Sequence, residues 1–133
     1  KMLTDESNIT RAAAKMMGWG PRVVVVKRGE HGALLFTKDF VFAAPGLPLS
    51  HIVDPTGAGD SFAGGFMGYL AREGASLDED HLRRAAICGS VMASFQVEDF
   101  GLDRLRTLTK LDIDSRYSAF KALSHFPEKT IFS

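Results

Sequence analysis

The sequence has a single cysteine, Cys88, which excludes an intramolecular disulfide and leaves the fold to packing and hydrogen bonds. It has no surplus of either charge. Sixteen basic residues balance sixteen acidic ones, so no net field draws the chain to nucleic acid or to an anionic membrane. No apolar run reaches the roughly 18 residues that a membrane span needs, and no charged-then-apolar leader is visible, so the expected location is the cytoplasm. Neither GxxxxGK[ST] nor GxGxxG occurs, and His31, His51, His81 and His125 fall at no metal-ligand spacing. Internal repeats and low-complexity linkers are absent as well. What is there, 133 residues with 45% hydrophobic and 24% charged content, is one soluble globular domain with a real core and a small molecule as its expected partner. The chain starts at Lys1 rather than methionine, which reads as processing or as a piece of a longer protein.

Helical and extended patterns alternate. Asn8 is a good N-cap for "ITRAAAKMM", which sets Ile9, Ala12, Ala13, Met16 and Met17 on one face and stops at Gly18. The four valines of "GWGPRVVVVKRG" predict a strand buried on both faces, as in parallel sheets, and "GALLFTKDFVFAAPG" reads as a hairpin around Lys38 and Asp39. "LSHIVD" is a third strand candidate. After it, Phe62, Phe66, Tyr69 and Leu70 form an apolar helix stripe, beside a stripe of tiny residues at Ser61, Gly64, Gly65 and Gly68. "SLDE", residues 76–79, fits a capping box for a helix through about Gln96 with Leu82, Ala85, Ala86, Gly89, Met92 and Ala93 on one side. Two more helical segments follow "VEDFG", one with Leu102, Leu105 and Leu108, the other with Ile113, Tyr117 and Phe120, before Pro127. The pattern is α/β, with helices covering a mostly parallel sheet and a ligand expected in a strand-to-helix loop.

"DPTGAGD", residues 54–60, occupies such a loop. Interior glycines weaken a helix by about 1 kcal/mol each, so "HIVDPTGAGDSFAGGFMGYLA" has a use for bare backbone. A turn into a helix here leaves the amides of Gly57, Ala58 and Gly59 unpaired at the positive end of the helix dipole, a cradle suited to phosphate. Asp60, in the first turn, is placed to accept the proton of an attacking hydroxyl, and positioning counts for more than basicity in a loose phosphoryl-transfer transition state. Plainer readings stand beside these: Asp60 as a helix cap, Asp54 as a turn initiator before Pro55, and the loop as mere helix packing. "KRGEHG", residues 27–32, is either a tight hairpin connection with solvated Lys27 and Arg28 or, beside a phosphate cradle, a turn whose lysine meets a nucleotide's phosphates. Cys88 reads as helix packing.

"DPTGAGDSFAGGF" closely resembles the second signature of the ribokinase-like, or PfkB, family of ATP-dependent sugar and nucleoside kinases. "VVVVKRGEHGALLF" resembles the strand and glycine turn which that family uses for its nucleotide. The resemblance implies a ribokinase-like three-layer fold, with residues 1–133 as its C-terminal nucleotide-binding part and residues 112–133 as a helical tail. It implies Asp60 as catalytic base, Gly57, Ala58 and Gly59 as anion hole, and Lys27, Gly29, Gly32, Ala86 and Gly89 around the nucleotide. ATP and Mg²⁺ are implied as cofactors, with K⁺ as a further cation at Asp54 and Thr56. "VEDFG", where the other cation ligands fall, departs from ribokinases themselves. Family members are longer; their N-terminal half supplies the sugar-binding residues, an Asn-x-x-Glu motif and a lid through which dimers pair. "KMLTDESN" has no Asn-x-x-Glu and looks like sequence just downstream of one. The expected activity is transfer of the ATP γ-phosphate to a sugar or nucleoside hydroxyl, with little turnover by the 133 residues alone. The alternative is a non-catalytic nucleotide-binding module that keeps the cradle.

Overall fold

The computed structural model describes residues 8–49, 57–72, 74, 77–98 and 107–128. Helix α1, Ile9–Met17, begins where expected: the Asn8 side chain accepts a hydrogen bond from the Arg11 amide at 3.0 Å, and the chain leaves the helix at Gly18. Strands β1 (Val24–Lys27), β2 (Ala33–Phe36) and β3 (Val41–Ala44) follow, with a 3-10 turn at Gly29–His31 between the first two. Helices α2 (Ala58–Arg72), α3 (Glu79–Glu98) and α4 (Lys110–Ser124) complete the described elements.

The three strands form a sheet in the order β1-β2-β3 with both pairings antiparallel, which corrects the expectation of a mostly parallel sheet for the described residues. The valine run does signal burial on two faces. Val24 and Phe36, opposite one another in the register, pack against Ala13, Ile9, Met16 and Met17 of α1. Val25, Leu35 and Phe42 line up across the sheet on the other face, where they meet Leu70 of α2 and Leu82, Ala85 and Ala86 of α3. Coverage on both sides makes the run apolar throughout, but strand direction is decided by the connection. The amide of Arg28 donates to the carbonyl of Gly32 at 2.8 Å, and a turn that tight can only reverse the chain. The predicted hairpin around Lys38 and Asp39 is present, tied by the Thr37 hydroxyl, which accepts from the amides of Asp39 and Phe40.

Helix α3 is the spine. It carries the predicted buried residues Leu82, Ala85, Ala86 and Gly89, and on its other side Val91 and Phe95 pack with Phe120 of α4. Asp78 caps its start, Oδ1 accepting from the His81 amide at 2.9 Å; Ser76, the first residue of the expected capping box, lies outside the described residues. Arg116 of α4 donates to Ser94 Oγ at 2.8 Å and to Glu98 Oε1 at 2.6 Å, with its guanidinium 4.1 Å from the centre of the Phe95 ring. That clamp holds α4 to the end of α3. The strand candidate "LSHIVD" and the segment with Leu102 and Leu105 fall outside the described residues, apart from Leu49.

The stripe of small residues on α2 divides. A methyl group at Gly65 would come within 2.7 Å of the Cys88 carbonyl and 3.0 Å of the Gly89 Cα, so the two helices touch backbone to backbone there. Gly64 and Gly68 are exposed, with no described residue within 4 Å of an added methyl, so they take no part in that approach. The contrast is measurable by urea denaturation of the chain. Gly65→Ala is expected to lose about 1–3 kcal/mol by overpacking, whereas Gly64→Ala is expected to gain up to about 1 kcal/mol from helix propensity.

Candidate active site

Alternation along β1 places Lys27 on the same face as Val25, toward α2 and α3. Its Nζ lies 5.3 Å from the centre of the Phe62 ring and 3.5 Å from where a side chain at Gly59 would begin. Three features separated in sequence thus converge: the end of β1, the bare first turn of α2, and Asp60, which is exposed on that same turn. The Lys27 side chain is exposed as a whole, but its ammonium is partly stripped of water. That loss of hydration lowers its pKa below the ordinary lysine value, and the nearby Asp60 carboxylate works in the opposite direction.

Beside this group opens a cavity of about 580 Å³. The β1–β2 turn contributes Lys27, Arg28, Gly29, His31 and Gly32; the segment after β3 contributes Pro45, Gly46, Leu47 and Leu49. Ala58, Gly59 and Phe62 of α2, Ser90, Ala93, Ser94 and Val97 of α3, and Phe120 of α4 close the rest. One end is cationic and rich in glycine, and the other is apolar. A flat ring system fits the apolar end and an anion the end at Lys27. A second cavity, of about 490 Å³, opens near Met17, Arg22, Lys38 and Leu77; none of the predicted site residues lines it.

The glycines at the cavity have separate reasons. Gly32 has φ +92° and backs directly onto the Ala44 carbonyl, so no side chain fits. Gly57 has φ +86° and leads into α2, where its carbonyl accepts the first intrahelical bond, from the Ser61 amide at 3.0 Å. The amides of Ala58, Gly59 and Asp60 therefore have no carbonyl one turn earlier within α2 to bond. Oriented amides at a helix start, with a lysine across from them, favour a phosphate-like anion.

Two predicted nucleotide residues are placed elsewhere. Ala86 is 1% exposed in the core between α3 and the sheet, and a methyl at Gly89 would strike the Phe62 carbonyl and ring. Both sit on the α3 face that packs inward; the cavity is lined from the next turn on, by Ser90, Ala93, Ser94 and Val97. Asp54 and Thr56, the expected cation ligands, lie outside the described residues, as does most of "VEDFG". Among the described residues no group of three or more His, Cys, Asp or Glu side chains converges as a metal site. No described helix is long and apolar enough to cross a membrane.

The match to the pfkB family carbohydrate kinase model covers residues 1–107. The chain belongs to that family. Over 80 residues it is 44% identical to a cytidine kinase of Thermococcus kodakarensis, a match that takes in 59% of this chain and 28% of the relative. Its structure resembles that of an aminoimidazole riboside kinase from Salmonella enterica, solved with aminoimidazole riboside and an ATP analogue, with a TM-score of 0.73 and 26% identity over 87% of this chain and 38% of the other. A ribokinase from Thermotoga maritima matches with a TM-score of 0.68 and 27% identity, covering 84% of this chain and 35% of that one. The fold is ribokinase-like, and the chain spans well under half of the lengths of these kinases.

Two residues near the site escaped sequence reading. Phe120, read only as one of a helix's apolar residues, forms part of the cavity wall. Gln96, read only as the approximate end of α3, is 5% exposed and meets the first turn of α2. An amide within the largely apolar stretch "VMASFQV" is the available signal.

Lys27 generates a prediction. Binding of a polyphosphate anion, followed with ADP by titration calorimetry, is expected to weaken about tenfold in Lys27→Met, the scale of one charge-assisted hydrogen bond. Wild-type affinity is expected to fall on the alkaline side as the ammonium loses its proton, at lower pH than an ordinary lysine would, and the Lys27→Met profile should lack that limb.

Proposed function

We propose that this chain carries the nucleotide-binding and catalytic part of an ATP-dependent kinase that moves the γ-phosphate to a hydroxyl of a sugar or nucleoside. The observation that carries the reading is that Lys27 and Gly59 meet at one cavity with an apolar far end, while the carboxylate of Asp60, the next residue, is near enough to act on the Lys27 charge. The names of the relatives, sugar and nucleoside kinases alike, support the acceptor class, and the ATP analogue in the Salmonella enterica enzyme supports the donor.

The adenine lies in the apolar end, between the leucines after β3 and the wall of Ala93, Val97 and Phe120. The β1–β2 turn, with Gly29 and Gly32, runs alongside, and the triphosphate reaches toward Lys27 and the start of α2. The acceptor oxygen attacks the γ-phosphorus while Asp60 takes its proton, and the bond from that phosphorus to the β,γ-bridging oxygen breaks, leaving ADP. Charge that builds on the transferring group faces the amides of Gly57, Ala58 and Gly59 and the Lys27 ammonium, which are already oriented before the reaction. Mg²⁺, when bound with the nucleotide, would neutralise part of the phosphates' charge. Asp54 and Thr56, three residues and one residue before Gly57, support K⁺ through the family resemblance alone.

The test is Asp60→Asn in the longest natural form of the protein, with ATP and a panel of sugars and nucleosides. The expected loss in kcat is about 10²–10⁴-fold, with nucleotide affinity nearly unchanged. Undiminished phosphotransfer by the variant would remove Asp60 as the base. If the wild-type protein binds ATP tightly but transfers phosphate to no acceptor, the non-catalytic nucleotide-binding reading takes its place.

A further inference from the structure

From the geometry around Gln96 we infer that this residue is a positioning residue for the phosphate cradle, acting through Ser61 and Gly57; this rests on the function proposed above. Gln96 stands in the last turns of α3, distant in sequence from the cradle, and its side chain is buried. Its Oε1 accepts a hydrogen bond from the Ser61 hydroxyl at 3.1 Å, in the first turn of α2. Its Nε2 lies 3.1 Å from the point where a side chain at Gly57 would begin, so the amide group rests against the bare face of the residue that turns the chain into the helix. Both ends of one carboxamide thus contact the segment that delivers the amides of Ala58 and Gly59 and the carboxylate of Asp60.

Those contacts bear on geometry rather than on charge. Gly57 has φ +86° and, being glycine, no side chain to lock its backbone against neighbours, and Ser61 follows one helical turn later. A rigid planar amide touching both sets the height and rotation of the α2 start relative to α3. Lys27, on β1, is registered to α3 separately, through the sheet. The distance between the ammonium and the amides across the anion therefore depends on where Gln96 holds α2. Displacements of about 1 Å are enough to cost a phosphoryl-transfer site about a hundredfold.

The experiment compares Gln96→Leu, Ser61→Ala and the double variant, again in the longest natural form of the protein. Gln96→Leu is expected to lower kcat about 10–100-fold per folded molecule, with the folded fraction measured by circular dichroism so that loss of stability is separated out, while KM for ATP changes by less than about threefold. Ser61→Ala, which removes one hydroxyl, is expected to lower kcat about fivefold, and the double variant should be no slower than Gln96→Leu because both remove the same contact. The backbone amide resonances of Gly57, Ala58 and Gly59 should shift in Gln96→Leu. Wild-type kcat in Gln96→Leu, single losses that multiply in the double variant, or unmoved amide resonances would each overturn the inference. Should Gln96→Leu fail to fold, Ser61→Ala decides alone, by its kcat and the same three resonances. The amide resonances report on Gln96 even without turnover, whereas full activity in Asp60→Asn removes only the base assignment.

Discussion

The contact on which the site depends is the backbone-to-backbone approach of α2 and α3 at Gly65 and Gly89. A methyl at either position would meet main chain or the Phe62 ring within about 3 Å, so this distance between the helices exists only because both residues lack a side chain. Close approach there carries Phe62 against α3, and the Phe62 ring in turn lies beneath the Lys27 ammonium. The same approach brings the start of α2 within hydrogen-bonding reach of Gln96. Widening the crossing by the thickness of one methyl would separate the cradle from its lysine and from its prop together.

The layers around that crossing account for the cavity. The sheet has α1 on one face and the α2–α3 pair on the other, and α4 is clamped to the end of α3 by Arg116. Each layer contributes a different chemical character to the opening. The sheet edge supplies the cation and a turn with two glycines, α2 supplies its first turn with the Asp60 carboxylate close to Lys27, and α3 with α4 supplies mostly apolar walls. Charge is kept at one end and greasy surface at the other, which is what a ligand with a ring at one end and phosphates at the other would require.

Much of this was legible in the sequence because the relevant signals are local. The Asn8 cap, the hairpin around Lys38, the apolar stripe of α2 and the long buried α3 follow from side-chain period and capping chemistry within single segments. Strand direction was not, because a valine run sandwiched between helices reads the same in parallel and antiparallel sheets. The stripe of small residues is undecided by spacing for a similar reason: Gly64, Gly65 and Gly68 fall on neighbouring positions of α2, but among the described residues only Gly65 has a facing backbone. Ala86 and Gly89 were assigned to the nucleotide side of α3 by resemblance, while the close crossing turns them inward.

By itself the sequence determined the covalent order on which the proposed cradle rests: a glycine turn entering a helix whose first turn holds Asp60, with a lysine ending a separate strand. Backbone amides at a helix start and a nearby carboxylate are consequences of covalent order, so they can be read without a fold. The tertiary structure alone decided that Lys27 hangs over Phe62 beside Gly59, that Phe120 forms a wall, and that the Gln96 amide supports Gly57 and Ser61. These pairings join residues far apart in the chain, and no local propensity specifies them; they follow from how closely two helices can approach when both present glycine.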